Sequence, residues 1–203
     1  SIDWLDFSKG IINRLKTYRN FLQNYKVYRG RVTLLLYVTP PNENISEYKK
    51  IKSELDEQVG KINSEFGRIN WRPVFYFYEE LSFEQLVQIY LCSDVALITP
   101  IRDGMNLIAK EFIASHPEKE GVLILSEMAG ASKEMGEAII VNPNNKAETA
   151  HAIHQALSMS KEEKVERNTA LQNRLSRYTE YKWASDFIRS LEGVKQIQEY
   201  NAT

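Results

Sequence analysis

"DVALITPIRDGMNLIAKE", Asp94–Glu111, runs from an apolar, β-branched segment through a proline to an acid, a glycine and a stretch of helical spacing. Val95–Ile98 reads as a buried strand and Asn106–Ser115 as a helix. The same alternation recurs along the chain. Further strands are predicted at Val32–Val38, Val74–Tyr78, Val122–Leu125 and Ala138–Val141, with helices at Ile11–Tyr25, Ile45–Phe66, Phe83–Cys92 and Ala147–Met159. Ser82, ahead of "FEQL", has the chemistry of a helix N-cap with an acid in the first turn. The opening "SIDWLDFSKG" adds a short strand, a turn, and a helix from about Gly10–Ile11. Continuous rather than alternating hydrophobicity predicts strands covered on both faces. The expected fold is therefore α/β, a doubly wound, Rossmann-like parallel sheet with right-handed crossovers, whose ligands bind at the carboxyl ends of the strands.

Composition narrows the function classes. A chain of 203 residues, 43% hydrophobic, can bury the core of one ordinary domain. A net charge of −1 with no basic stripe argues against a nucleic-acid binder. Cys92, the single cysteine, excludes an internal disulfide and fits a reducing compartment. No run approaches the roughly 20 apolar residues needed to cross a bilayer, so no membrane partner and a cytoplasmic location are expected. Residues 1–159 are expected to form the α/β domain. From Ser160 the chain reads as one or two charged helices, in which Trp183, Phe187 and Leu191 form an i, i+4, i+8 face. That face is expected to dock on the domain or on a missing neighbour. A sheet strand at residue 1 is expected of a domain cut from a longer chain.

The corner after Val95–Ile98 is suited to an anionic, hydroxyl-rich ligand. A helix starting near Asn106 leaves its first N–H groups unpaired and partly positive. Gly104 permits close approach of the backbone and dihedrals closed to other residues. Asp103 offers two acceptors for sugar hydroxyls, unless it merely caps the helix. Glu111, seven positions after Gly104, is expected on the same side of that helix about 10 Å away. Lys9, at a second strand-to-helix turn, can present an ammonium to a phosphate, and converging strand ends bring it toward residues 102–107.

"DWLDFSKG" (3–10), "GKINSEFG" (60–67), "SDVALITPIRDGMNLIAKEFIAS" (93–115), "GVLILSEMAGASKEMGEAIIVNPNN" (121–145) and "AIHQALSM" (152–159) together resemble trehalose-6-phosphate synthase. The resemblance runs in order from Ser1 to about Leu191. It implies the C-terminal, donor-binding half of a GT-B glycosyltransferase, with residues 1–159 binding a nucleotide sugar. The implied reaction transfers glucose from UDP-glucose to glucose-6-phosphate with retention. By the same resemblance Lys9 contacts the diphosphate, and Asp103 with the backbone of Gly104, Met105, Asn106 and Leu107 holds glucose and phosphate oxygens. Lys9 and Asp103 carry the catalysis. Glu111 binds the ribose, and Ile108 and the main chain of Leu86 flank the uracil. The implied partners are UDP-glucose or UDP, a missing N-terminal acceptor domain and a phosphatase fused beyond residue 203. No cofactor is implied.

Two positions depart from the resembled pattern, in which Trp4 and Lys61 are both arginine. Lys61 keeps a charge for an acceptor phosphate; Trp4 removes both charge and fork. Three readings stay open: an active synthase half that is inert when isolated, a catalytically impaired regulatory module, and a transferase using another phosphorylated acceptor such as glycerol-3-phosphate. No His, Cys, Asp or Glu grouping has metal-ligand spacing, so no metal is expected. His116, His151 and His154 read as surface residues.

Overall fold

The computed structural model describes residues 1–41, 46–118 and 120–201. Six strands and seven α-helices follow in the order β1 (Ile2–Trp4), α1 (Ile11–Asn24), β2 (Leu34–Thr39), α2 (Ser46–Phe66), β3 (Val74–Tyr78), α3 (Phe83–Cys92), β4 (Val95–Ile98), α4 (Leu107–Ala114), β5 (Val122–Ser126), β6 (Ile139–Val141), α5 (Lys146–Ser158), α6 (Lys161–Arg177) and α7 (Glu180–Asn201). The expected first residue of α2, at position 45, lies outside the described residues.

Every strand pairing is parallel, in the orders β1-β2-β3 and β4-β5-β6. Burial on both faces follows from the continuous hydrophobicity of the β4 and β5 runs. Leu97, Val122, Ile124, Ile139 and Val141 point into one apolar cluster with α1, α2 and α5. Ala96, Ile98, Leu123 and Leu125 point into another with α3, α4 and α6. The chain is doubly wound, as expected.

The sheet differs from expectation in one respect: it is two three-stranded ladders rather than one. Ile2 of β1 is buried in the same cluster as Ala96 and Ile98 of β4, but no ladder joins the two strands. The side chain of Arg14, from α1, crosses between them. It pairs with Asp3 of β1 and donates from Nε to Thr99 Oγ1, just past β4, at 3.0 Å. Arg14 and Asp3 are only 2% and 7% exposed, so each charge depends on the other. Removing one partner of such a buried pair costs about 3–5 kcal/mol.

Boundaries shift by one or two residues for identifiable reasons. Val32 stays outside β2 because its carbonyl accepts from Tyr18 Oη and Trp71 Nε1. Ser82 caps α3 in a reciprocal capping box with Gln85. The segment after residue 159 forms two helices. α6 docks through buried Leu171 and Asn168, whose Nδ2 donates to the Gly121 carbonyl at 2.8 Å. On α7, Trp183 stacks on Phe187 at 5.7 Å between ring centroids, and both are exposed, as are Ile188, Leu191 and Val194.

The histidines are less peripheral than expected. His116 is buried, with Nδ1 2.8 Å from the Phe112 carbonyl, because it follows the last turn of α4. His154 stacks on Tyr25 and hydrogen-bonds Tyr28 at 2.8 Å, so it belongs to the packing of α5 on α1; His151 is exposed.

Candidate functional site

At the carboxyl ends of β1 and β4 a cleft of about 600 Å³ opens. Ile2, Asp3 and Trp4 of β1, Lys9, Thr39, Glu80 and Leu81 line one part; Leu86, Asp103, Asn106, Leu107, Ile108 and Glu111 line the other. Among the described lining residues Lys9 is the only cation, facing four carboxylates on Asp3, Glu80, Asp103 and Glu111. Arg14 neutralises Asp3 from behind.

Lys9 comes from a single 3₁₀ turn, Phe7–Lys9, capped at its start by Asp6. Gly10 then takes φ +64°, and a Cβ there would stand 2.7 Å from the Thr99 carbonyl. Only glycine lets the turn enter α1 at this distance. The turn is tied to the loop after β4, because the Ser8 carbonyl accepts from the amides of Ile101 and Arg102 at 2.7 and 3.1 Å. These bonds bring Lys9 Nζ to 2.9 Å from Asp103 Oδ2.

Asp103 is satisfied from three sides. Besides Lys9, it accepts from Asn106 Nδ2 at 2.7 Å and from the Gly104 amide at 2.9 Å. Burial pushes its carboxyl up, but the hydrogen bonds of Lys9 and Asn106, the charge of Lys9 and the Gly104 amide outweigh it and hold the group below its usual range. Asp103 is a carboxylate at neutral pH. Its backbone is bracketed by the loop after β5, through Gly130 N to the Asp103 carbonyl at 3.1 Å and Ala131 N to the Gly104 carbonyl at 3.3 Å.

Two readings of this corner need correction, and one alternative closes. The residue with left-handed backbone is Asn106, at φ +45°, while Gly104 keeps a negative or extended φ and has open space where a Cβ would stand. Asn106, not Asp103, caps α4, accepting from the Ala109 amide at 3.0 Å. Because α4 begins only at Leu107, Gly104 lies outside the helix and the 10 Å helical spacing to Glu111 does not apply. The amides of Leu107 and Ile108, one turn too early for intrahelical acceptors, are the helix-start donors at the cleft.

The remaining expected residues are distributed unevenly. Leu86 lines the cleft from inside α3, with its amide already given to the Ser82 carbonyl at 3.0 Å. Gly104 and Met105 sit on the exposed loop beside the cleft rather than in its lining. Lys61 is on an exposed face of α2, paired with Glu57 at 2.5 Å, and does not line the cleft.

Sequence reasoning passed over Arg14 and Tyr90. Tyr90, buried on α3, donates to Glu111 Oε2 at 2.8 Å and fixes that carboxylate. Burial raises the phenol's pKa, and the Glu111 hydrogen bond and charge raise it further, so the hydroxyl stays a donor. Tyr90→Phe is expected to cost about 1 kcal/mol, lowering Tm by about 2–4 °C for a chain of this size. An unchanged calorimetric Tm would show that the pair does not form. A tyrosine on the buried stripe of a helix gives no sequence signal of this role, whereas an arginine between Ile11 and Leu15 on an apolar stripe does.

Among the described residues no three His, Cys, Asp or Glu side chains gather as a metal site. No helix among them is long and apolar enough to cross a membrane.

Comparison with known proteins gives a consistent result. The model of glycosyltransferase family 20 matches residues 1–193. A bifunctional trehalose-6-phosphate synthase/phosphatase from Thermoproteus tenax is 46% identical over 199 residues, covering 98% of this chain and 27% of the relative. A UDP-forming α,α-trehalose-phosphate synthase from Burkholderia xenovorans superposes with a TM-score of 0.90 at 33% identity, over 96% of this chain and 44% of that one. A trehalose-6-phosphate synthase structure from E. coli, bound with UDP-2-fluoro glucose, gives 0.89 at 34% identity, over 94% and 42%. The chain thus spans less than half the length of these relatives.

Proposed function

The chain belongs to glycosyltransferase family 20 and is a trehalose-6-phosphate synthase-like region of GT-B fold, and on that premise we propose that its cleft binds the UDP-glucose donor. The observation that carries this is the Lys9–Asp103 pair at the start of α4, an ammonium and a carboxylate held 2.9 Å apart beside unpaired helix amides. On ligand binding Lys9 turns from Asp103 to the diphosphate, which frees Asp103 for glucose hydroxyls. Leu107 and Ile108 amides take phosphate oxygens. Glu111, steadied by Tyr90, takes the ribose hydroxyls, and Leu86 and Ile108 flank the base. As UDP departs, charge gathers on its β-phosphate, where a fixed cation and helix amides stabilise it. No step in this scheme uses a metal.

The proposed reaction is retaining transfer to glucose-6-phosphate, with the acceptor held by protein outside this chain. Residues 1–159 would form the donor domain, and the exposed face of α7 would pack on the acceptor half. The phosphatase named in the Thermoproteus tenax relative makes a fused phosphatase the partner to look for in the parent protein. Lys61 receives no donor role.

Calorimetry tests the proposal. Asp103→Ala removes hydroxyl acceptors but also frees Lys9, so UDP-glucose binding is expected to weaken about tenfold relative to UDP. Glu111→Ala should weaken both. Absence of binding of either ligand to the unaltered chain at millimolar concentration would overturn the proposal. Trp4 favours a second reading, a synthase-like regulatory module; UDP-glucose binding without turnover in the full-length parent would select it.

A further inference from the structure

We infer that Arg14, which touches no ligand in the scheme above, is a positioning residue for Lys9. The residue is 2% exposed and has the largest of the fully buried side chains among the described residues. Four contacts are made from one rigid fork. Nε donates to Thr99 Oγ1 at 3.0 Å, Nη1 to the Asp3 carboxylate and to Ser1 Oγ, and Nη2 to the Lys9 carbonyl at 3.0 Å. The last contact is the informative one. It satisfies a buried N–H and at the same time ties the guanidinium to the backbone of the residue whose ammonium reaches Asp103.

The backbone of Lys9 is fixed on both sides of its Cα. Its amide donates to the Asp6 carbonyl at 3.2 Å, its carbonyl is held by Arg14, and Gly10 is wedged against Thr99. A lysine has four rotatable bonds and a single-point charge, so where its Cα sits decides what its ammonium reaches. The fork of Arg14 therefore links three elements: β1 with the residue before it, the Lys9 turn and the end of β4. A lysine at position 14 would keep a charge against Asp3 but could not reach all four acceptors.

The part of this inference that concerns ligand rests on the donor-site reading; the part that concerns Lys9 in the free chain does not. The test has an arm for each. In the first, Lys9 of the ligand-free chain is labelled competitively with a limiting amine acylating reagent and followed by mass spectrometry, with Lys110, paired to Glu134, as internal reference. Arg14→Lys is expected to change Lys9 labelling severalfold, toward the value in Asp103→Ala, while Lys110 stays constant. If Arg14→Lys does not fold, the doubly neutral variant Asp3→Asn with Arg14→Gln removes both buried charges together and is expected to give the same change. Unaltered Lys9 labelling in either folded variant overturns the inference. In the second arm, Arg14→Lys is expected to weaken UDP-glucose binding by about tenfold, a small displacement of a charged contact. Combined with Lys9→Ala it should add nothing, since it acts through Lys9. Additive losses would overturn it. If the unaltered chain fails to bind UDP-glucose, the donor reading fails and the labelling arm alone decides the role of Arg14.

Discussion

Lys9→Ala is expected to lower the turnover of the full-length protein by about 10²–10³, the effect of deleting one donor aimed at developing charge. The size follows from the cleft's electrostatics. Lys9 is its only lining cation among the described residues, so none of them supplies a second ammonium or guanidinium when it is lost. Stability should hardly move. Lys9 and Asp103 retain 22% and 14% side-chain exposure, and Asp103 keeps its bonds to Asn106 and Gly104. A partly solvated pair of this kind contributes on the order of 1 kcal/mol or less. The signature is thus a collapse of kcat and of UDP affinity at nearly constant Tm. Steady-state kinetics with calorimetric UDP binding and a melting curve checks it. Retention of near-normal kcat would remove Lys9 from the chemistry and leave it a helix-turn residue.

The fold was legible because its central strands are almost wholly apolar. Runs such as "VALI" and "VLIL" present hydrophobic side chains to both faces, which only a sheet covered twice can bury. The interruption between β1 and β4 was not legible. The arginine that bridges it has partners 11 and 85 positions away, and a local reading cannot weigh such contacts.

The site divides along the same line. Lys9, Asp103 and Glu111 stood out by residue type and local pattern, and the structure gathers them at one cleft. The conformational roles within the corner were exchanged. Gly104 looked like the residue needed for unusual dihedrals, yet Asn106 takes them, because its side chain compensates the left-handed backbone by capping α4 and holding Asp103. Tyr90 was invisible, since a buried tyrosine and a carboxylate-orienting tyrosine have the same sequence pattern. Lys61, read as a charge for an acceptor phosphate, lies on an exposed face of α2 beside Glu57, away from this cleft.

Trp4→Arg is expected to tighten UDP binding by about 10–100-fold. Trp4 ends β1 in register with Thr39, lines the cleft and is 54% exposed, so little packing is lost when the indole goes. The cleft wall carries four carboxylates against Lys9, and a diphosphate adds more negative charge. Two unit charges 4 Å apart interact by about 4 kcal/mol at an effective dielectric constant of 20, an upper figure for so open a site. The net value of a charge-assisted hydrogen bond, about 1.5–3 kcal/mol, is the better guide, and at 1.4 kcal/mol per tenfold it gives the stated range. Glu80 competes for the new guanidinium, but a diphosphate offers more charge and a matching pair of oxygens. A steeper loss of affinity with added salt should accompany the gain. Trp4→Phe separates the alternatives, because it keeps an aromatic face and adds no charge. If Trp4→Phe weakens UDP-glucose binding and Trp4→Arg fails to strengthen UDP, the indole is itself a ligand contact, and the cleft holds its sugar by stacking where it lacks a second cation.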